Sequence, residues 1–168
     1  MKKLNKIVSL CLIIVIVSTI TPITTFASGE TKVSVVSAGM QHSAAIKADK
    51  SLYTWGDNSF GQLGTGDTVN ANQPVLVLKN AVSVSCGYDT TAAITSDGSL
   101  YMWGKNYYGI FGNGDVSNSL TPLKVAEKVS VVSVGNFHTA IIKTDGTLYM
   151  TGNNNYGQLG TGDTMAYT

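Results

Sequence analysis

The stretch WGDNSFGQLGTGD at residues 55–67 returns as WGKNYYGIFGNGD at 103–115 and as TGNNNYGQLGTGD at 151–163, each copy 48 positions after the last. Self-similarity at a fixed period of this size restricts the chain to a stacked or radial repeat architecture. One unit is too small to bury its own apolar face and must pack on its neighbours. The units are 33–80, 81–128 and 129–168, the last of them cut short. Their most constant residues are Gly39, Gly87 and Gly135; Gly56, Gly104 and Gly152; Asn58, Asn106 and Asn154; Gly61, Gly109 and Gly157; and Gly64, Gly112 and Gly160. Trp55 and Trp103 recur in the same way, with Thr151 in the third copy. Glycines held in register mark backbone positions that need positive φ or a close approach, so the copies describe a shaped object rather than a linker.

Within a unit the pattern is all-β. A run rich in β-branched residues (VSVVSA at 33–38, VSVVSV at 129–134) ends at Gly39 or Gly135 and reads as a first strand. Second runs follow at 43–48, 91–96 and 139–144, and third runs begin at Leu52, Leu100 and Leu148. Asp97-Gly98 and Asp145-Gly146 lie between second and third runs, where such pairs supply the φ angles of a tight hairpin. The glycine-rich stretch then reads as a shaped loop. A fourth strand is expected to start at Pro74 or Pro122, since the missing N–H suits an edge or first position. Four strands per unit make a propeller blade, and no helix is expected in residues 28–168.

Ahead of the repeats, Lys2, Lys3 and Lys6 precede an apolar run over 7–20, followed by Thr25-Phe26-Ala27. This is the pattern of a secretory signal peptide cut after Ala27, and the run is too short for a membrane span. Residues 28–168 are then the exported part, expected to be extracellular or at the cell surface and without a membrane span. All eleven basic residues of the chain are lysines. Beyond the leader they are scattered singly, so no basic stripe exists for a nucleic-acid backbone. Cys86 is the one cysteine past the leader and leaves no internal disulfide. Ala38 and Val134 occupy its repeat position, which marks it as a small buried hydrophobe rather than a nucleophile.

AGMQHSAAI, DGSLYMWGKN, DGTLYM and NSFGQLGTGD together resemble the regulator of chromosome condensation repeat: valines, then AG, then HS, then G-LY-WG-N, then GQLG-G. The resemblance covers residues 33–168 and implies a seven-bladed β-propeller, with a secreted bacterial branch that includes the β-lactamase inhibitor protein II group. The expectation is therefore an incomplete β-propeller with about three of seven blades. It is either the N-terminal part of a longer one or a chain that self-associates through open blade faces.

The residues that could carry chemistry fit structural roles better. His42 and His138 share a repeat position with Thr90, and two histidines without companions do not make a metal site. They are expected to bond backbone at a blade corner. Asp49, Asp97 and Asp145, and again Asp67, Asp115 and Asp163, recur once per unit, as turn residues do. Gly64-Thr65-Gly66-Asp67 lacks the Lys-Ser or Lys-Thr and the helix of a phosphate loop. Trp55, Trp103, Tyr53, Tyr101 and Tyr149 recur in register and are expected between blades. No catalytic group, metal or cofactor is expected. The contact candidates are Tyr107, Tyr108, Ile110 and Phe111, in the one loop that departs from its copies. They suit a non-enzymatic repeat protein that binds a protein or cell-surface partner, or, by the resemblance, an enzyme inhibitor.

Overall fold

The computed structural model describes residues 32–168; the leader reading for 1–27 lies outside them. Three antiparallel sheets follow one another along the chain. The first contains β1 (Val33–Ala38), β2 (His42–Lys47), β3 (Leu52–Gly56) and β4 (Ala71–Leu78). The second contains β5 (Ala81–Cys86), β6 (Thr90–Thr95), β7 (Leu100–Gly104) and β8 (Ser119–Ala126). The third contains β9 (Val129–Val134), β10 (His138–Lys143) and β11 (Leu148–Gly152). Within each sheet neighbours in sequence pair in order, the simple meander that short turns permit.

The register repeats with the sequence. Leu52 faces Leu78, and Leu100 faces Ala126; Gly56 faces Ala71, and Gly104 faces Ser119. In the third blade Gly152 bridges to Tyr167, the residue at the same repeat position as Ala71 and Ser119. The fourth strands start at Ala71 and Ser119, three residues before the prolines that were expected to open them. Pro74 and Pro122 lie within an outermost strand, where one N–H direction faces no neighbour and its absence disturbs no ladder. The second strands likewise begin one residue early, at His42, Thr90 and His138. A short 3-10 turn at Tyr107–Gly109 is added to the all-β pattern.

Apolar burial is concentrated between blades. Ala44, Ile46 and Leu52 of the first blade pack with Ala81, Val84, Cys86, Ala93 and Trp103 of the second. Ala92, Ile94, Leu100 and Met102 of the second, with Ile110 and Phe111 from its loop, pack with Val129, Val132, Val134 and Ile141 of the third. The second strand of the middle blade, TTAAIT, is therefore buried at every position, and it alternates neither in hydrophobicity nor in exposure. The Asp97-Gly98 turn forms as expected. Gly98 has φ 79°, and Asp97 Oδ1 accepts from Thr95 Oγ1 at 2.6 Å and from the Ser99 N–H at 3.1 Å. Those hydrogen bonds, the Thr95 one foremost, hold its carboxyl below the usual carboxylate range.

Candidate interaction surface

The repeated asparagine organises each glycine-rich loop. Asn58 is fully buried; its Nδ2 donates to Thr65 Oγ1 and to the Asp67 carbonyl, each at 3.0 Å, and its Oδ1 accepts from the Leu63 N–H at 2.9 Å. Asn106 and Asn154 repeat the arrangement around Phe111 and Asp115 and around Leu159 and Asp163. Gly56, Gly104 and Gly152 end the third strands, and Gly61, Gly109 and Gly157 donate back to the carbonyls of the asparagines. These stretches are structural corners, with their polar groups turned inward on themselves.

Blades are joined by bonds that also recur. The Cys86 N–H donates to Ser37 Oγ at 2.9 Å, and the Val134 N–H to Ser85 Oγ at 3.0 Å. Trp103, buried between blades as expected, donates from Nε1 to the Gln62 carbonyl at 3.0 Å. It lies on Gly64, where a Cβ would stand 2.7 Å from its Nε1. Gly39 and Gly135 each have an imidazole in the space a side chain would need, with a Cβ 2.5 Å from Cε1 of His42 or His138. Gly87 lies instead beneath the Gly135 carbonyl. In the third blade Thr151 stands at the tryptophan position and donates to the Gly109 carbonyl at 3.0 Å.

His42 bonds a side chain of the next blade, not backbone as expected: Nε2 lies 2.9 Å from Thr91 Oγ1. Because Thr91 gives its own proton to the Gln62 carbonyl at 2.7 Å, it accepts from His42, which fixes the Nε2–H tautomer. His42 Nδ1 is buried without a partner. Burial lowers the His42 pKa to about 4, against a smaller opposing pull from Asp57. The middle blade has Thr90 in place of this histidine, and Thr139 Oγ1, which stands where Thr91 Oγ1 does, is buried without a hydrogen bond. Cys86 is buried and its thiol is pushed up to about 11 by desolvation, which removes its nucleophilicity at neutral pH.

One loop breaks the pattern, and the break is coordinated. In the outer blades an amide–acid or amide–amide pair closes the loop, Gln62 to Asp57 and Gln158 to Asn153. The acceptor also holds the residue two positions on, through Ser59 Oγ to Asp57 and the Asn155 N–H to Asn153. In the middle blade the pair becomes Lys105 and Ile110. Lysine has no acceptor to offer; it turns to Asp89 at 3.6 Å and lies 4.0 Å above the Phe60 ring. Asp89 is buried, and its pKa is raised by that desolvation against the pull of Lys105. Tyr107 is 53% exposed at a position that is also exposed in the outer blades, where Ser59 and Asn155 stand. Tyr108 adopts φ 62°, a left-handed conformation that costs an aromatic residue about 1–2 kcal/mol. Lys50, Asn80 and Lys128 also have positive φ, but at inter-strand turns; Tyr108 alone among the non-glycine residues with positive φ does so inside a loop.

The result is an aromatic patch spanning two blades. Tyr88 stacks on Phe137 at 5.7 Å, Tyr107 lies 4.2 Å from Tyr108, and both meet Phe137 edge-on at 6.3 and 6.1 Å. Of the four contact candidates, Tyr107 and Tyr108 belong to this patch. Ile110 and Phe111 do not: at 2% and 1% exposure they fill the core between the second and third blades. There an apolar pair can replace Gln and Leu because no acceptor remains at position 105. Phe60, Tyr88, Lys105 and Phe137 belong to the surface and were not singled out from sequence. The signal for Tyr88 and Phe137 was their divergence from Met40 and Gln41 at the same repeat positions. The rings close on one another and leave no water-sized cavity among Tyr88, Lys105, Tyr107, Ile110 and Phe137. A separate open concavity of about 430 Å³ lies at the ends of β1, β5 and β9. Among the described residues no three His, Cys, Asp or Glu side chains cluster as metal ligands.

Comparison with known proteins agrees with this geometry. A family model described as the regulator of chromosome condensation (RCC1) repeat matches residues 49–94 and 97–142, and a second of the same description matches 33–62, 81–110 and 129–158. The ultraviolet-B receptor UVR8 of Arabidopsis thaliana is 42% identical over 45 residues, which are 27% of this chain and 10% of the receptor. Among solved structures, human WBSCR16 superposes with a TM-score of 0.75 at 22% identity, covering 86% of this chain and 38% of that one. Yeast RCC1 (Prp20), in its complex with Kap60, superposes with a TM-score of 0.69 at 23% identity, covering 81% and 35%. The chain thus spans little more than a third of the length of these propellers and a tenth of the receptor.

Proposed function

Because this chain belongs to the regulator of chromosome condensation repeat family and its second and third blades together display an aromatic patch, we propose that it is an exported, non-enzymatic interaction module. It engages a protein or cell-surface partner through that patch. The observation that supports this reading is the loop at 105–108, where loss of the Asp57-type acceptor coincides with exposed Tyr107, strained Tyr108 and a lysine set among rings. Backbone strain is characteristic of functional loops, and tyrosines with a neighbouring cation are the side chains that anchor protein interfaces. The closed cleft suits recognition of a surface rather than of a small molecule. Export is supported by the leader pattern at 1–27.

The test is capture of surface proteins from the producing cell by immobilised residues 28–168, followed by titration of the captured partner. Tyr107→Ser, which restores the residue type of the first blade, is expected to weaken binding at least tenfold with the fold intact by circular dichroism. A partner held equally well by this variant and by Phe137→Ala would place the contact elsewhere. Inhibition of a secreted enzyme, as the β-lactamase inhibitor protein II group implies, is the narrower form of the same reading and uses the same anchors. Absence of inhibition across a β-lactamase panel at micromolar concentration would remove it.

A further inference from the structure

The meander sorts the chain between two ends of the blades. Val33, Lys47, Leu52 and Leu78 stand at one end of the first sheet, and Ala38, Ser43, Gly56 and Ala71 at the other. The glycine-rich loops and the aromatic patch therefore belong to one end. The β2–β3, β6–β7 and β10–β11 hairpins belong to the opposite end, with the β4–β5 and β8–β9 turns beside them. The charges divide in the same way. Among the described residues, Lys105 is the one lysine of the loop end, against Asp57, Asp67, Asp89, Asp115 and Asp163. The other seven lysines lie in or beside the hairpin-end turns, with four acids, Asp49, Asp97, Glu127 and Asp145. One end thus carries an excess of four negative charges and the other an excess of three positive ones. Placed singly in sequence, the lysines are gathered by the fold.

They are densest around the first blade and its turn into the second. The Ala48 N–H donates to the Lys32 carbonyl at 2.8 Å and the Ala81 N–H to the Lys50 carbonyl at 2.9 Å, so backbone bonds tie together the turns that bear Lys32, Lys47, Lys50 and Lys79. Lys32, Lys50 and Lys79 are exposed, and Lys47 is half-buried with its ammonium 4.2 Å from the Tyr53 ring. Asp49 is the one acid in these turns, and its carboxylate accepts from the Ser51 N–H at 3.0 Å. The row continues round the end through Ser96 to Asn80, Val129 to Gly98 and Thr144 to Lys128, which fixes the turns as a platform. Its exposure does not depend on the sides through which blades pack. Asn80 and Lys128, at the repeat position of Lys32, each have a blade before them and are exposed all the same. The two concavities described above are lined by residues of the loop end, which leaves the lysine end to meet distributed charge rather than a seated ligand.

We propose that the hairpin end docks on the surface of an anionic lipid bilayer, its lysines against the headgroup phosphates and the aromatic patch turned away from the membrane. The contact is electrostatic and reversible, and salt screens it. Each lysine brought to such a surface raises partition by about fivefold. The acids of the loop end are repelled by the same surface, so the charge division sets the orientation as well as the attraction. The two ends are separate, so docking can fail with the interaction reading intact, and the reverse.

The experiment mixes residues 28–168, which hold all three blades, with vesicles of phosphatidylcholine alone or of phosphatidylcholine with phosphatidylglycerol, and measures bound protein by co-sedimentation. Binding is expected to the anionic vesicles alone and to disappear as salt is raised. The double variant Lys50→Asn, Lys79→Gln removes two of the three excess charges, and asparagine suits the φ of 65° at residue 50. Its partition is expected to fall at least tenfold. Lys50→Arg with Lys79→Arg keeps the charge and is expected to bind as wild type does. Circular dichroism of both variants checks that folding is retained. No binding to anionic vesicles, equal binding to both vesicle types, or an asparagine–glutamine variant that binds as wild type does would each overturn the proposal. Capture by duplex DNA without binding to the anionic vesicles would assign the lysines to nucleic acid and overturn it as well.

Discussion

Thr91 and Thr139 occupy one repeat position, are both fully buried, and have opposite hydrogen-bond circumstances. Thr91 accepts from His42 and donates to Gln62; Thr139 Oγ1 has no partner, and Thr90 stands where a histidine would donate to it. Valine at position 91 strands the imidazole N–H of His42, while the Gln62 carbonyl keeps Trp103 as a donor, and Thr91→Val is expected to cost about 1–3 kcal/mol. Thr139→Val removes a desolvated hydroxyl that bonds nothing and is expected to be neutral or slightly stabilising. Urea unfolding of both variants checks the pair, and equal losses would refute the asymmetry. His42 adds a pH dependence at the same junction. Well above pH 6.5 neither the folded nor the unfolded chain protonates this residue, and its junction is at full strength. As the pH falls from 6.5 towards 4 the unfolded chain takes up a proton that the folded chain refuses, so stability declines by up to about 3 kcal/mol and then levels off. In the His42→Gln variant that part of the slope between pH 6.5 and 4 is expected to disappear.

The glycine-rich loops are the most uniform elements, and their uniformity rests on one side chain. Asn58→Ala removes the acceptor for the Leu63 N–H and the donor to Thr65 and Asp67 from a buried site. It is expected to cost about 2–4 kcal/mol, since the groups left behind are desolvated, and a loss under 1 kcal/mol in chemical unfolding would contradict that role. This asparagine and its glycines are legible in the sequence because the three copies keep them in register. The strands were legible for the same reason: VSVVSV and the Asp-Gly turns satisfy a local rule in each copy. The aromatic patch was only half legible. Tyr107 stands out because it replaces Ser59 and Asn155, whereas Tyr108 aligns with the aromatic Phe60 and Tyr156; Ile110 and Phe111 stand out as much as Tyr107 and are core. Whether a deviation faces solvent depends on which partner it lost, and the loss of Gln62-type pairing at position 105 becomes interpretable only when Lys105, Asp89 and Ile110 are seen side by side. Tyr88 comes from a different turn of the same blade and Phe137 from the next blade, a proximity that no local pattern encodes.

For the whole molecule, stability is distributed over junctions rather than held in one centre. A chain of blades that each touch only their neighbours behaves as a series of coupled units. A lesion in the first junction is therefore expected to loosen the first blade while the second and third stay joined. In Trp103→Ala, which opens a cavity on Gly64 at a cost of about 3–5 kcal/mol, amide exchange is expected to accelerate across β1–β4 more than across β9–β11. Uniform acceleration over all three blades would instead mean a single cooperative unit.

The serine bonds between blades have a direction. Ser37 and Ser85 each accept an N–H from the blade that follows, and the Gln62 carbonyl waits for a tryptophan 41 residues downstream. A polypeptide delivered amino end first thus completes each seat before the segment that will occupy it arrives. Folding can then keep pace with delivery, each finished blade serving as the mould for the next.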